Sequence, residues 1–406
     1  MVPRAAMLIS SGYAPDPRLQ KQAHTLAAAG YRVTIVAWDR LRLYPVHARE
    51  SAPPLLADAL AAWPGRRVET PLPVSVVRLR IPAGYRTGRP LLAKIPRFWW
   101  QALHELRRIR PDVVHACDLD TLPIAYLYRR LTGTPVVYDA REYYPGMVQG
   151  TVGRALSRAL DVLDGWLTPR VDAVLAVGER LAARYRALGG RVWIVTNAQV
   201  LPPPDLGSSS RALIREGLGM PPDGLLAVYI GYLNPDRLLT PLLDAALALP
   251  DVWVLIGGVG PQAELIASYA ARCPRIKALG WVPVDDVVTI VGSADVVYYG
   301  LDAQNPNSAY FMPNLALSAI AAGRPLLTTP VGEIAEVIRA EGCGVVMTAP
   351  TAAAAVEALD RLRGRTFRAE LARRARALGA ARYNWNYAAA QLLEAYNCTS
   401  FVKNCS

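Results

Sequence analysis

The 406-residue sequence predicts an α/β fold made of two Rossmann-like doubly wound domains. Three observations predict it. Short, wholly apolar runs alternate with helical stretches from end to end, which is the pattern of parallel sheets covered on both faces. That alternation is interrupted once, near Val200, at LPPPDLGSSS, where prolines, a glycine and serines read as a linker. The length itself suits two or three domains of roughly 150 residues.

The elements follow in order. A strand is expected over 6–10, then a loop and a helix from about 17 to 29, with Gly30 as its left-handed stop. The next strand is YRVTIVA, 31–37, and further strands read at 74–79, 113–116, 136–138, 174–177 and 192–195. After the linker, strands read at 226–231, 252–256, 276–279, 296–299, 325–328 and 344–347. A last helix over 385–396 comes after the second domain is complete. The expected domains are therefore 1–200, completed by the helical stretch 384–406, and 201–383. In open parallel sheets, ligands bind at the loops leaving the carboxyl ends of the strands. Two such sheets facing one another across a cleft would suit an enzyme that holds two substrates.

Composition narrows the class. Apolar residues make up 52% and charged residues 19%, which excludes a disordered chain, a collagen and a small disulfide scaffold. Five cysteines form no CxxC pair, so free thiols in a reducing, cytoplasmic compartment are expected. No uncharged apolar run reaches about 18 residues, so no membrane-spanning helix is expected. MVPRAAMLISSGYAPDPR has too short an apolar stretch for a secretory leader and reads as a strand running into a loop. The formal charge is +12, and only four lysines contribute, so the cationic surface is almost all arginine. Arginine presents a planar fork to phosphate at any working pH. Nucleic acid, an anionic membrane face and phosphorylated small molecules all fit such charge. No recognition helix, zinc site or stacking motif supports the first, so no nucleic-acid partner is expected.

Candidate residues gather at strand exits. Ser10, Ser11 and Gly12 leave the first strand, where backbone amides can cradle a phosphate, although one glycine there also serves a plain turn. HACDLD follows the fourth strand. Asp120 reads as the cap of the next helix and Asp118 as the site residue, with His115 a satisfied core histidine. DAREYYP follows the next strand, and its Asp139, Arg141 and Glu142 read either as ion pairs or as groups that orient sugar hydroxyls. GYLNPDR, 231–237, leaves a strand and places Arg237 in the first turn of a helix. A cation opposes the helix dipole there unless an anion is bound, which makes Arg237 a phosphate-ligand candidate. FMPNLALSAIAAGRPLLTTPVGEIAEVI, 311–338, opens a helix at Pro313 and Asn314 and continues in small residues that permit close approach.

Taken in order, DPRLQKQAHTLAAAGYRVTIVA, PDVVHACDLDTLPIA, VVYDAREYYP, the Gly231 turn, GWVPVDDV and MPNLALSAIAAGRPLLTTPVGEIAEV resemble the GT-B fold glycosyltransferases, of the glycosyltransferase family 4-like retaining group. YNWNYAAAQLLEAY is similar to that family's final helix, which crosses back onto the first domain. The resemblance runs nearly end to end. It implies an acceptor-binding first domain and a nucleotide-sugar-binding second one. It also implies transfer with retention and no metal cofactor, the diphosphate being met by cationic side chains and helix N-termini. Asp118, Asp139, Glu142, Arg237, Pro313, Asn314, Gly332 and Glu336 match the family pattern. The implied catalytic set is Asp118, Glu142 and Arg141. The implied donor set is Gly12, Gly231, Arg237, Asn314, Ser318 and Glu336.

Departures are specific. The two glutamates the family commonly places around the Pro-Asn segment correspond to Tyr310 and Ser318. The lysine often after Pro-Asn is Leu315, the usual Arg and Lys of the diphosphate site are Tyr232 and Arg237, and two family histidines are Cys117 and Arg141. A serine offers the donor ribose one neutral hydrogen bond, worth about 0.5–1.5 kcal/mol net. A carboxylate would offer about twice that. Weakened or reorganised donor binding is expected, with Arg141 supplying charge to the departing diphosphate.

KIPRFWWQALHELRRIR, 94–110, read as a helix, sets Ile95, Trp99, Ala102, Leu106 and Ile109 on one face with arginines around the rest. It reads either as a crossover helix on its sheet or as a helix lying on anionic lipid, the latter suiting a lipid-linked acceptor. Two competing functions remain: a catalytically impaired partner subunit of the same fold, and a nucleotide-sugar epimerase. The base, sugar and acceptor are not legible.

Overall fold

In a computed structural model of the protein, residues 2–13, 16–84, 91, 93–201 and 208–401 are described. The chain divides into two compact units. One comprises Met1–Thr196 and the stretch from Ala388 on, and the other comprises Asn197–Tyr387.

The first unit holds an eight-stranded sheet: β1 (Arg4–Ile9), β2 (Arg32–Trp38), β3 (His47–Glu50), β4 (Val74–Leu79), β5 (Val113–Cys117), β6 (Val136–Ala140), β7 (Ala173–Ala176) and β8 (Val192–Ile194). Their order is β3-β4-β2-β1-β5-β6-β7-β8. Every neighbouring pair is parallel except β3 with β4. The sequence reading contains no antiparallel strand. HARE carries one small apolar residue between charged ones and so lacks a strand pattern. A short, charged edge strand of this kind also resists pairing with other chains.

β5, β6 and β7 are buried at every position, as strands covered on both faces must be. The helix Pro17–Ala28 starts where Asp16 accepts a hydrogen bond from the Leu19 amide at 3.0 Å, with proline at its first position. It stops at Gly30, whose φ of +91° permits the closing bonds Gly30 N–H to Ala27 O and Tyr31 N–H to Leu26 O. The helix Ile95–Ile109 packs on the sheet through Ala102 and Leu106 of the expected face, turned so that Phe98 is buried with them while Ile95, Trp99 and Ile109 are half-buried. It buries Phe98, Ala102 and Leu106, and the Phe98 ring stacks on Trp38 at 4.9 Å. Trp99 is rotated aside and donates its indole N–H to Asp120 O at 2.7 Å. The final helix, Trp385–Phe401, runs past its expected end, and its Tyr396 hydroxyl meets His115 Nδ1 at 2.9 Å inside the first unit.

The second unit holds six parallel strands: β9 (Leu225–Ile230), β10 (Val252–Gly257), β11 (Ile276–Gly280), β12 (Val296–Tyr299), β13 (Leu326–Thr328) and β14 (Gly344–Val346). Their order is β11-β10-β9-β12-β13-β14. Two expectations are corrected here. The three serines read as linker open a helix, Ser208–Gly217, while residues 202–207 of that segment lie outside the described residues. Arg237 does not sit in a helix's first turn. It ends a short 3₁₀ turn, Pro235–Arg237, and the helix begins only at Thr240 because Leu238 interrupts the path with a positive φ of 28°.

Chain order reverses once in each sheet. From β1 the chain moves to β2 on one side while β5 lies on the other. From β9 it moves to β10 while β12 lies opposite. Loops at the carboxyl ends of such strand pairs diverge and leave a crevice for a ligand.

Candidate functional site

In the first unit, Asp118 follows β5 at the switch point. Its backbone is left-handed, φ 63°, a conformation that costs a non-glycine residue energy and collects at functional positions. Its amide donates to Asp139 O at 3.0 Å, which ties the β5 and β6 exits together. Burial raises the Asp118 carboxyl well above its ordinary range. The neighbouring charges of Asp120, Glu142 and Asp139 push the same way, and Arg141 opposes them. Asp118, Arg141 and Glu142 thus form one electrostatic group at one end of one sheet.

The ion pairs differ from sequence neighbours pairing among themselves. Arg141 forks onto Asp16, with contacts of 2.8 and 3.0 Å, at the start of the first helix. Asp139 is wholly buried and receives a forked guanidinium from Arg18, whose Nε lies 3.0 Å from Oδ2, and a further bond from the Gln22 amide at 3.1 Å. Burial alone would raise the Asp139 carboxyl. Arg18 and His115 outweigh it and hold the group far below the usual carboxylate range. Asp16 and Arg18 were missed as site residues, although DPR stood at the right strand exit.

Asp120 does not cap the next helix. Thr121 occupies the cap position and donates its hydroxyl to Cys117 O at 2.7 Å. The Asp120 carboxyl turns toward the β1 exit, where Ser10 and Tyr144 bond to it. The loop carrying Gly12 is held from below by buried Arg78, which donates to Gly12 O at 3.0 Å and Tyr13 O at 3.3 Å. A Cβ on Gly12 would press on the Tyr44 ring at 3.2 Å, so a side chain there would have to shift that ring by a few tenths of an ångström.

The fold also brings together one atom each from His115, Cys117 and Asp139, all within 4.8 Å. This donor set does not fit a metal. Asp139 already faces the Arg18 guanidinium, His115 Nδ1 is taken by Tyr396, and burial raises the Cys117 thiol well above its ordinary value. A cation there would adjoin a fixed arginine.

In the second unit, Gly231 leaves β9 and its amide bonds to Gly257 O at 3.0 Å. Gly258 lies beneath it with φ +142°, where any Cβ would collide with the Gly231 carbonyl. Arg237 lies over the Phe311 ring at 4.8 Å and the Tyr299 ring at 5.5 Å, and pairs with Asp236 at 3.2 Å. The aromatic floor keeps its fork presented beside the β12 exit. Asn314 opens the helix Asn314–Ala321, is exposed, and accepts from the Asn197 amide at 2.8 Å. Ser318 is buried one turn on and donates its hydroxyl to Asn314 O at 3.0 Å. Tyr310 is half-buried in the preceding turn. Glu336 is exposed on the helix Gly332–Glu341, whose Glu333 is buried. The structure therefore gathers Gly231 and Arg237 at one loop and Asn314 with Ser318 at one helix start, while Glu336 is on a later helix, Gly332–Glu341.

Two family models match the chain, the glycosyl transferase 4-like domain over residues 14–204 and the glycosyl transferases group 1 domain over residues 226–364. By these two domains and its two doubly wound sheets, the chain belongs to the glycosyltransferases of GT-B fold. Among curated proteins it is similar to the glycogen synthase of Mycobacterium tuberculosis, at 25% identity over 246 residues, covering 57% of this chain and 55% of that protein. It is also similar to the D-inositol 3-phosphate glycosyltransferase of Salinispora arenicola, at 27% identity over 259 residues, covering 55% of this chain and 56% of that one. The match thus spans about half the length of these curated relatives. Among solved structures, Anabaena Alr3699/HepE in complex with UDP-glucose superposes with a TM-score of 0.69 at 16% identity, covering 97% of this chain and 99% of that one. Sucrose-phosphate synthase from Thermosynechococcus elongatus gives 0.73 at 17% identity, covering 99% and 100%. At such identities the structural likeness concerns the fold.

Proposed function

We propose that the protein transfers a sugar from a nucleotide-sugar donor to an acceptor hydroxyl, with retention and without a metal cofactor. The observation that carries this reading is the pair of polar constellations, one at the switch point of each sheet, in a chain whose two domains match two glycosyltransferase models. The second unit takes the donor. The Gly231 loop offers amides and Arg237 a guanidinium to the diphosphate, while Asn314, Ser318 and Glu336 contribute around the nucleoside. The first unit takes the acceptor. Asp118 and Glu142 orient hydroxyls, and Arg141 supplies positive charge as the nucleoside diphosphate departs, while Gly12 counts with the donor residues.

The test is a thermal-shift panel of UDP, GDP, ADP and dTDP sugars on the full chain, followed by a transfer assay with whichever binds. Binding to the native form alone raises the melting temperature. No shift with any donor would end the reading.

A second reading, a catalytically impaired partner subunit, is favoured by Ser318. Its hydroxyl is committed to Asn314 O, and Tyr310 supplies no carboxylate nearby. Donor binding with neither transfer nor donor hydrolysis would select it.

A lipid-linked acceptor and an anionic membrane face form part of the proposal. With Phe98, Ala102 and Leu106 turned to the sheet, the helix Ile95–Ile109 presents Trp100, 69% exposed, together with Arg97, Arg107 and Arg108 to solvent. Aromatic and cationic side chains in that arrangement suit an anionic headgroup layer. Salt-sensitive co-sedimentation with anionic vesicles supports this part, and its absence removes it. Among the described residues, no helix is long and apolar enough to cross a membrane.

A further inference from the structure

The second unit carries a group of arginines at the opposite end of its strands from the Gly231–Arg237 loop. Asp295 immediately precedes β12 and is almost fully buried. It accepts from Arg211 at 2.6 Å, Arg215 at 2.9 Å and the Leu226 amide at 2.9 Å, with Arg368 at 3.7 Å. One carboxylate thus faces three guanidinia. Two more arginines join them from the turn before β13 and from the helix Arg365–Ala381. Arg324 has a buried Nε without a hydrogen-bond partner. Arg376 crosses Gly323 so closely that a Cβ there would lie 2.6 Å from its Cγ. Among the described residues, neither Arg324 nor Arg376 forms an ion pair with a carboxylate. Burial, then the charges of Arg211 and Arg376, lower the Arg324 guanidinium from its ordinary value to about 10, with Asp295 offsetting only part. Burial likewise lowers Arg368. Like charges held this close are unfavourable unless an anion completes the group.

We propose that Arg211, Arg324 and Arg376 form a binding site for a phosphate dianion, free or as a phosphate monoester. Guanidinium forks match phosphate oxygens bidentately, and the unpartnered Arg324 Nε supplies a donor already desolvated. The site lies at the amino ends of β12 and β13, whereas the candidate donor loop lies at the carboxyl ends of β9 and β12. It is therefore separate from the proposed donor pocket and does not depend on that reading. A phosphate here would join the helix Ser208–Gly217 to the helix Arg365–Ala381.

The test is thermal melting of the full chain in inorganic phosphate, in glucose 6-phosphate, and in chloride of matched ionic strength. It is run on the wild type, Arg324→Gln, Arg376→Gln and Arg237→Gln. Phosphate at about ten times its dissociation constant is expected to raise the wild-type melting temperature by roughly 2–3 °C over chloride. That rise should persist in Arg237→Gln and vanish in Arg324→Gln and Arg376→Gln. A larger rise with the sugar phosphate assigns the site to an ester, and an equal one assigns it to free phosphate. Absence of any rise over chloride in the wild type overturns the proposal. So does a rise that survives both cluster variants or is lost only in Arg237→Gln. Should Arg324→Gln fail to fold, exposed Arg376→Gln decides the matter.

Discussion

Arg18 and Asp139, far apart in sequence, form a buried forked pair that pins the first helix against the exit of β6. The same guanidinium donates to Val195 O at 2.6 Å just past β8, so one side chain ties three elements together. Removing one partner of such a pair strands a buried charge, which costs about 3–5 kcal/mol. Arg18→Met is expected to lower unfolding free energy by that order in urea titration, and Asp139→Asn by less. Because the folded carboxyl titrates far below its unfolded value, the pair's contribution is complete above about pH 4 and is lost as pH falls below it. Asp139→Asn should flatten that acid limb.

Arg141 is bound to Asp16 and acts electrostatically on Asp118. Arg141→Ala is expected to lower kcat for transfer by about 10²–10³-fold, the size seen when a single charge-stabilising donor is removed. Arg141→Lys should recover part of the loss. Unchanged steady-state rates in the alanine variant would count against its role.

Arg237 rests on Tyr299 and Phe311 with its fork beside the proposed donor loop. Charge-assisted hydrogen bonds contribute about 1.5–3 kcal/mol, so Arg237→Gln should weaken nucleoside diphosphate binding roughly 10–100-fold by calorimetry. Affinity for the free nucleoside should hardly change.

Gly258 supports the Gly231 loop from below with a backbone conformation closed to other residues. Gly258→Ala must displace the Gly231 carbonyl. It is expected to cost at least about 1–3 kcal/mol of stability and to abolish donor binding together. Full affinity in a folded Gly258→Ala protein would show that the loop position is not needed.

Asp164 is wholly buried and accepts hydrogen bonds from Tyr138 and Tyr185 at 3.1 and 3.0 Å. Burial is the leading cause that raises its carboxyl to about 6, outweighing these bonds and Arg184. Between about pH 4 and 6 the folded state therefore holds a proton that the unfolded chain has released. Its contribution to stability is full below about pH 4 and is lost as pH rises through 6. Asp164→Asn should remove that slope from the pH profile of urea unfolding.

Much of the fold was legible in the chain. β5, β6 and β7, apolar but for His115 and Asp139, read as strands covered on both faces, and Gly30 marked a helix end because only glycine takes its φ of +91° at little cost. HARE was not legible, since an edge strand held by backbone bonds needs no apolar pattern. The exact face of the helix Ile95–Ile109 was legible only in part, since Ala102 and Leu106 are buried as expected but Phe98 joins them. Several apolar faces were available, and the Trp38 ring selected the one bearing Phe98.

The order of strand exits, and hence the positions of Asp118, Arg141, Gly231 and Arg237 at loops, is written in local pattern, because apolar runs and glycines act over a few residues. The partners are not. That Arg18 rather than Arg141 neutralises Asp139, that Asp120 turns to Ser10, and that three arginines converge on Asp295 were decided by strand order. Sheets place side by side residues separated by most of a domain, and electrostatic energy depends on that distance rather than on separation along the chain.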